Sequence, residues 1–380
     1  MLEEYLQASI GQLLVRAKNL QAEISKPTAR EFHTLWQKCT ELTNSVVRGL
    51  ESLLNEPRYL AAGTEAERMR SYKRRVEDLD FLENVAFAAL KRLNEDDLRM
   101  TRLVGEIADE IHYKLVPPVV SCQSQAYFHA YPLFNLLSIP QKEVDFLLHL
   151  PDLYHELAHF VLLAQNNPAV ESFQKAHEKT LADALDHLIS LKSKPSRGPK
   201  GDIAVLRIWE FCWVRAWATE FYCDLFGACA SGPAYGWAHL HLCMKRGGDP
   251  FHVENSPVST HPSDEARMYA ILEALTQLGY SKEAANIEEK WRQLLAVGGY
   301  RSNSDYERCF AKSLLKMIAK EAVGGYHRMG CRPSSSQAGS RIHDILNEAW
   351  NQFWSDPKHY ATWEQSRVLQ LFGQQPSMPT

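Results

Sequence analysis

Apolar residues recur at helical spacing over most of this chain. Leu2, Leu6, Ile10, Leu13, Leu14 and Ala17 mark one face of a first helix, which Pro27 ends. Thr28 can cap a second helix running to about Asn55. After a break from Pro57 to Gly63, Thr64-Glu65-Ala66-Glu67 has the form of a capping box and opens a long helix to about Leu93. Asn94-Glu95-Asp96-Asp97 starts another, which ends before Pro117-Pro118. Residues 1–115 are therefore expected to form a helical N-terminal region, a bundle or cover that carries no chemical motif.

The pattern changes at Val116. Val119, Val120, Tyr127, Phe128, Tyr131 and Phe134 sit among Pro, Ser and Gln with little helical period, which predicts two or three short strands over 119–139. Helices follow at about 141–150, from Pro151 to about Gln165, and at 169–192, 202–230, 235–245, 262–279, 281–296 and 305–322. Two amphipathic helices, 341–354 and 358–372, close the chain, and 374–380 is expected to fray. Two polar stretches rich in Pro, Gly and Ser, 193–201 and 324–340, read as loops and as the candidate lids. The expected division is 1–115, a core over 116–300, and a helical C-terminal region over 301–380.

Composition narrows the classes of function. A net charge of −4 over 380 residues, with no block of Lys and Arg, gives no electrostatic case for nucleic acid. Arg68 to Arg75 is the densest positive patch, but Glu77, Asp78 and Asp80 follow it, as on a solvated helix face. No apolar run reaches the length of a membrane span, and Met1 to Tyr5 is acidic, unlike a secretory leader. The eight cysteines show no Cys-x-x-Cys pair, so reduced, mostly buried thiols in the cytoplasm are expected.

Chemistry enters at Leu153-Tyr154-His155-Glu156-Leu157-Ala158-His159-Phe160-Val161. Pro151-Asp152 suits a helix start, and residues four apart share a helix face, so His155 and His159 can grip one zinc ion. Glu156, offset by about a quarter turn, reaches a water on the metal instead of the metal itself. A catalytic zinc takes three protein ligands, and Trp217 to Gly227 offers the third. Glu220 and Asp224 are four apart there, with small neighbours Ala216, Cys223 and Gly227 that allow close approach to the His155/His159 helix. Glu220 is read as the ligand and Asp224 as the acceptor for a ligand histidine's free N–H. Cys223 is read as packing.

A third stretch, Ser259-Thr260-His261-Pro262-Ser263-Asp264-Glu265-Ala266-Arg267, completes a pattern. His-Glu-x-x-His, Glu-x-x-x-Asp and Ser-Thr-His-Pro with Arg six residues after the histidine, in that order, resemble the gluzincin peptidases of the HtpX and CAAX-prenyl-protease type. The similarity covers roughly Ile139 to Arg267. It implies one zinc ion per chain held by His155, His159 and Glu220, with Glu156 as general base and Asp224 in support. It also implies that His261 and Arg267 stand near the site. The implied fold is mainly α: a zincin-like catalytic core with a small β-sheet near 119–139 and a helical N-terminal bundle. Spanning helices of such membrane-embedded members have no counterpart here, which makes a soluble relative the better description.

The expected activity is hydrolysis of peptide or protein substrates. His261 is the first candidate for stabilising the oxyanion, followed by His129, Tyr326 and His327. An extended substrate is expected to add a strand at the edge of the 119–139 sheet. Two other classes compete: a zinc-containing protein that binds or regulates without turnover, and a helical interaction protein whose motif is coincidental.

Overall fold

The computed structural model of the protein describes residues 2–26, 29–61, 63–124, 127–193, 199–335 and 341–372. It is mainly helical, with one three-stranded sheet. The chain divides into two compact units, residues 1–102 with 118–141, and residues 103–117 with 142–380. The strand region thus groups with the N-terminal helices.

In the first unit, α1 (Leu2–Ile24) buries Leu6, Ile10, Leu13, Ala17, Leu20 and Ile24 in steps of three and four. That stripe lies against α2 (His33–Asn55), whose Leu35, Cys39, Val46, Leu50 and Leu53 are inaccessible or nearly so. Side chains of this size, each stabilising by roughly 1.5–3 kcal/mol when fully buried, account for the bundle without any special contact. A short α3 (Pro57–Leu60) precedes α4 (Glu65–Phe81), which continues through a π-helical turn (Leu82–Ala86) into α5 (Phe87–Lys91). The capping box expected at Thr64 does not form. The Thr64 hydroxyl donates backwards to the carbonyls of Tyr59 and Ala61, and Glu65 accepts from Gly63 N. Thr28 and residues 374–380 lie outside the described residues.

The sheet comprises β1 (Val119–Ser121), β2 (His129–Tyr131) and β3 (Leu136–Ser138) in the order β1-β3-β2. β1 runs parallel to β3 with Val119 opposite Leu136, and β2 runs antiparallel to β3 with His129 opposite Ser138. A 3-10 turn over Pro132–Phe134 and Asn135 at φ +50° join the antiparallel pair. Helix α6 (Glu95–Glu110), which begins in this unit, covers the outer edge of β1. Val120 N donates to Thr101 Oγ1 at 2.9 Å and Cys122 N to Asp97 Oδ1 at 2.6 Å. Pairing with an added strand is therefore confined to the β2 edge.

Across the boundary into the second unit, the expected helix over 141–150 is a 3-10 segment (Gln141–Asp145) followed by turns. These lead into α7 (Asp152–Leu163), which carries His155 and His159. Then come α8 (Glu171–Lys192) and α9 (Pro199–Cys212), which passes through a π-helical turn (Trp213–Trp217) into α10 (Ala218–Ser231). This is the single rod anticipated over 202–230, with an irregularity just before Glu220 that periodicity does not announce. Helices α11 (Pro233–Arg246), α12 (Asp264–Gln277) and α13 (Ser281–Gly298) follow. Helix α10 is central: it packs on α7, α12 and the helix of residues 312–328.

The helix expected over 305–322 is two: α14 (Ser304–Cys309) and α15 (Lys312–Arg328). The loop expected from Gly324 accordingly starts only after Arg328. Gly324 and Gly325 lie inside α15, and Gly325 sits where α15 packs closely on α8. A Cβ at Gly325 would meet the Ala176 Cβ at 2.9 Å. Residues 336–340 of that loop, and 194–198 of the other candidate lid, lie outside the described residues. The unit closes with α16 (Ile342–Ser355) and α17 (Tyr360–Phe372). No helix among the described residues is long and apolar enough to cross a membrane. All eight cysteines are buried and free.

Candidate metal centre

One turn of α7 separates His155 and His159, whose rings meet edge to face with centroids 5.1 Å apart. Close packing of α10 on α7 brings Glu220 to both. Its Oε2 lies 3.5 Å from His155 Nε2 and its Oε1 3.9 Å from His159 Nε2. Glu156 shares this buried turn and, like His155 and Glu220, is 8% exposed.

A second layer of groups fixes His155. Its Nδ1 lies 3.0 Å from Asp224 Oδ1 and 3.0 Å from Tyr235 Oη, and the Tyr235 hydroxyl donates to the same Asp224 oxygen at 2.6 Å. Asp224, with no exposed surface, also takes two 2.7 Å hydrogen bonds from Arg267, through Nε to Oδ2 and Nη2 to Oδ1. With Asp224 accepting the Nδ1 proton, the lone pair of His155 is on Nε2, the atom that faces Glu220. Tyr235 reaches this position because Gly227 has no side chain. A Cβ at Gly227 would stand 2.7 Å from the Tyr235 ring.

Arg267 arrives on α12, whose start is held by Ser263. The Ser263 hydroxyl accepts from Ala266 N and donates to the Pro250 carbonyl at 2.7 Å. Just before it, His261 aims Nε2 at Glu220 Oε2, 3.3 Å away, while its Nδ1 is 2.8 Å from Thr260 Oγ1. Trp217, at the end of the π-helical turn, donates to Ser259 Oγ, which in turn donates to the His261 carbonyl. The half-exposed His261 side chain also lines a cleft of about 750 Å³, together with Arg246, Asp249, Glu254, Val258 and Asp264.

Charge is concentrated here. Burial alone would raise the carboxyl of Asp224, but the Arg267 charge and the bonds from Arg267 and His155 outweigh it and hold it well below the usual range. Burial likewise opposes ionisation of Glu220, and His155, with His261 and Arg267 behind it, keeps it low. His155 is driven the other way: burial would lower it, and Asp224 with Glu220 raises it. Burial pushes His261 down.

The residues present fit a bound cation. Glu220 Oε2 is buried with no well-aligned hydrogen bond, and the nearest nitrogens of His261 and His155 lie 3.3 and 3.5 Å from it. A carboxylate oxygen so placed, facing two imidazoles, could serve with them as a ligand to a divalent cation. Sequence reasoning placed His155, His159, Glu220, Asp224, His261 and Arg267, and the fold brings all six together. It did not identify Tyr235, for which no sequence signal exists. Cys223, read as packing, is buried beside the two histidines. One donor atom from each of His155, His159 and Cys223 lies within 4.8 Å of the other two. His129 belongs to β2 in the first unit, Tyr326 donates its hydroxyl to the Arg332 carbonyl, and His327 is exposed in the last turn of α15.

Comparison with protein-family models, with curated proteins and with solved structures gave no match.

Proposed function

We propose that this chain is a zinc-dependent endopeptidase with a zincin-like core, a soluble relative of the HtpX and CAAX-prenyl-protease type gluzincins. The buried Glu220 carboxylate, with Oε2 facing His155 and His261 and Oε1 facing His159, is the observation that carries the reading. His155, His159 and Glu220 hold the ion. When bound, zinc supplies Lewis acidity and makes a water acidic near neutral pH. Glu156, one residue from His155 on the same helix, accepts the proton of the attacking water and returns it to the leaving amine. Asp224, Tyr235 and Arg267 fix the His155 tautomer. His261, its Nδ1 turned to Thr260, presents Nε2 to charge developing on the scissile carbonyl oxygen. The cleft beside His261 receives the substrate.

The decisive variant is Glu156→Gln. It is expected to retain zinc and to lose hydrolysis in a peptide library by a factor of about 10²–10⁴, the usual contribution of a general base. Hydrolysis surviving in zinc-loaded Glu156→Gln rejects the assignment. One observation favours a second reading, a closed centre that binds or regulates without turnover: Cys223 lies within ligand range of both histidines. A fourth protein ligand would fill the position that catalysis needs open. Zinc retained by the wild type with no cleavage of any library peptide decides for that reading.

A further inference from the structure

We infer that the protein binds a second transition-metal ion, at His239, Cys243 and Asp264, distinct from the centre on α7. His239 and Cys243 are one turn apart on α11 and are 1% and 4% exposed. Asp264 is the first residue of α12. One donor atom from each lies within 4.8 Å of the other two.

The buried donors face one another. His239 Nε2 stands 3.6 Å from Cys243 Sγ, an ordinary distance for a contact to sulfur, and 3.4 Å from the Asp264 carbonyl oxygen, long for a hydrogen bond between nitrogen and oxygen. One nitrogen, one sulfur and one oxygen form a borderline-soft set that suits zinc and its neighbours; magnesium and calcium prefer oxygen alone. Asp264 Oδ1 accepts from Arg246 Nη2 at 3.2 Å, but Arg246 is 41% exposed, and so solvated a contact yields to a divalent ion. The other nearby cation, Arg267, is already matched by Asp224.

Position gives the site a consequence. Cys243 and Asp264 flank residues 247–262, the segment that walls the cleft and carries His261. An ion held by both ends would tie that segment down. The inference stands whether or not the α7 centre is catalytic.

The test uses the full-length chain carrying His155→Ala and His159→Ala, which removes the α7 centre. Zinc bound at equilibrium is measured by elemental analysis and its ligands by X-ray absorption. One zinc per chain is expected, with one sulfur neighbour at about 2.3 Å. Adding Cys243→Ser is expected to remove the sulfur and weaken zinc at least tenfold. Asp264→Asn, at a partly exposed position that spares the core, is expected to weaken it similarly and serves if the cysteine variant does not fold. The proposal is overturned if the double-histidine variant, folded by circular dichroism, binds no zinc. It is equally overturned by a shell of nitrogen and oxygen only, or by a sulfur that Cys223→Ser removes and Cys243→Ser leaves. A wild type holding one zinc that the histidine substitutions abolish leaves the α7 centre standing and this site rejected. One zinc unaffected by them means the reverse.

Discussion

Asp224→Asn probes the network on which the α7 centre rests. The carboxylate is fully buried and takes both 2.7 Å bonds from Arg267, itself 3% exposed. Asn keeps the shape and removes the charge, which leaves a buried guanidinium whose nearest remaining acid is Glu220 at 4.0 Å. Breaking a buried ion pair from one side costs about 3–5 kcal/mol, and the proximity of Glu220 places this case near the lower end. The same change takes the ionic acceptor from His155 Nδ1, which is expected to weaken zinc by about 10- to 100-fold. Stability is read from urea unfolding followed by the fluorescence of buried Trp213 and Trp217, and affinity by competition with a chromophoric chelator. Arg267→Met in the Asp224→Asn background removes the stranded charge, so the double variant should lose less than the two single losses together. A loss under about 1 kcal/mol with unchanged zinc affinity would show that this network neither stabilises the unit nor positions the ligand.

Three further outcomes are expected. Gly227→Ala places a Cβ 2.7 Å from the Tyr235 ring, so it should cost about 1–3 kcal/mol and weaken zinc by displacing Tyr235 from His155; a neutral effect on both contradicts the close-approach argument. Glu110 accepts from Ile342 N at 2.7 Å, from His343 N and from the His343 ring at the start of α16. Glu110→Ala should lower stability by about 2–3 kcal/mol in thermal unfolding, since it orphans buried donors. Burial lowers His177 from 6.5 to about 4, so the unfolded chain takes its proton first. Its contribution is complete above pH 6.5 and falls as pH drops towards 4, by at most about 3 kcal/mol because the ring keeps some water access. His177→Gln should flatten the urea-midpoint profile between pH 7 and 4.5, and an unchanged slope refutes this assignment.

Local rules account for what was legible in the sequence. Spacing of three and four marked α1 and α2 because a helix buries one stripe, and the loss of that period at Val116 marked the sheet. His155 with His159, and Glu220 with Asp224, were placed on common faces by helical geometry alone. Glycine is where local reading failed. Gly324 and Gly325 read as loop, yet they continue α15; at Gly325 the deciding fact is the distance to Ala176 on another helix. Thr64 has the sequence of a cap, but its hydroxyl turns back to Tyr59 and Ala61.

What the sequence determined by itself is most of the helices and the residue types poised along each one. Only tertiary packing decided that Tyr235 shares Asp224 with His155, that Cys223 comes close to His155 and His159, and that His239, Cys243 and Asp264 converge. The period of a helix fixes which side chains share its face. Which face meets which is set by how side chains from distant segments fill the space between helices, and no spacing along a single segment encodes that.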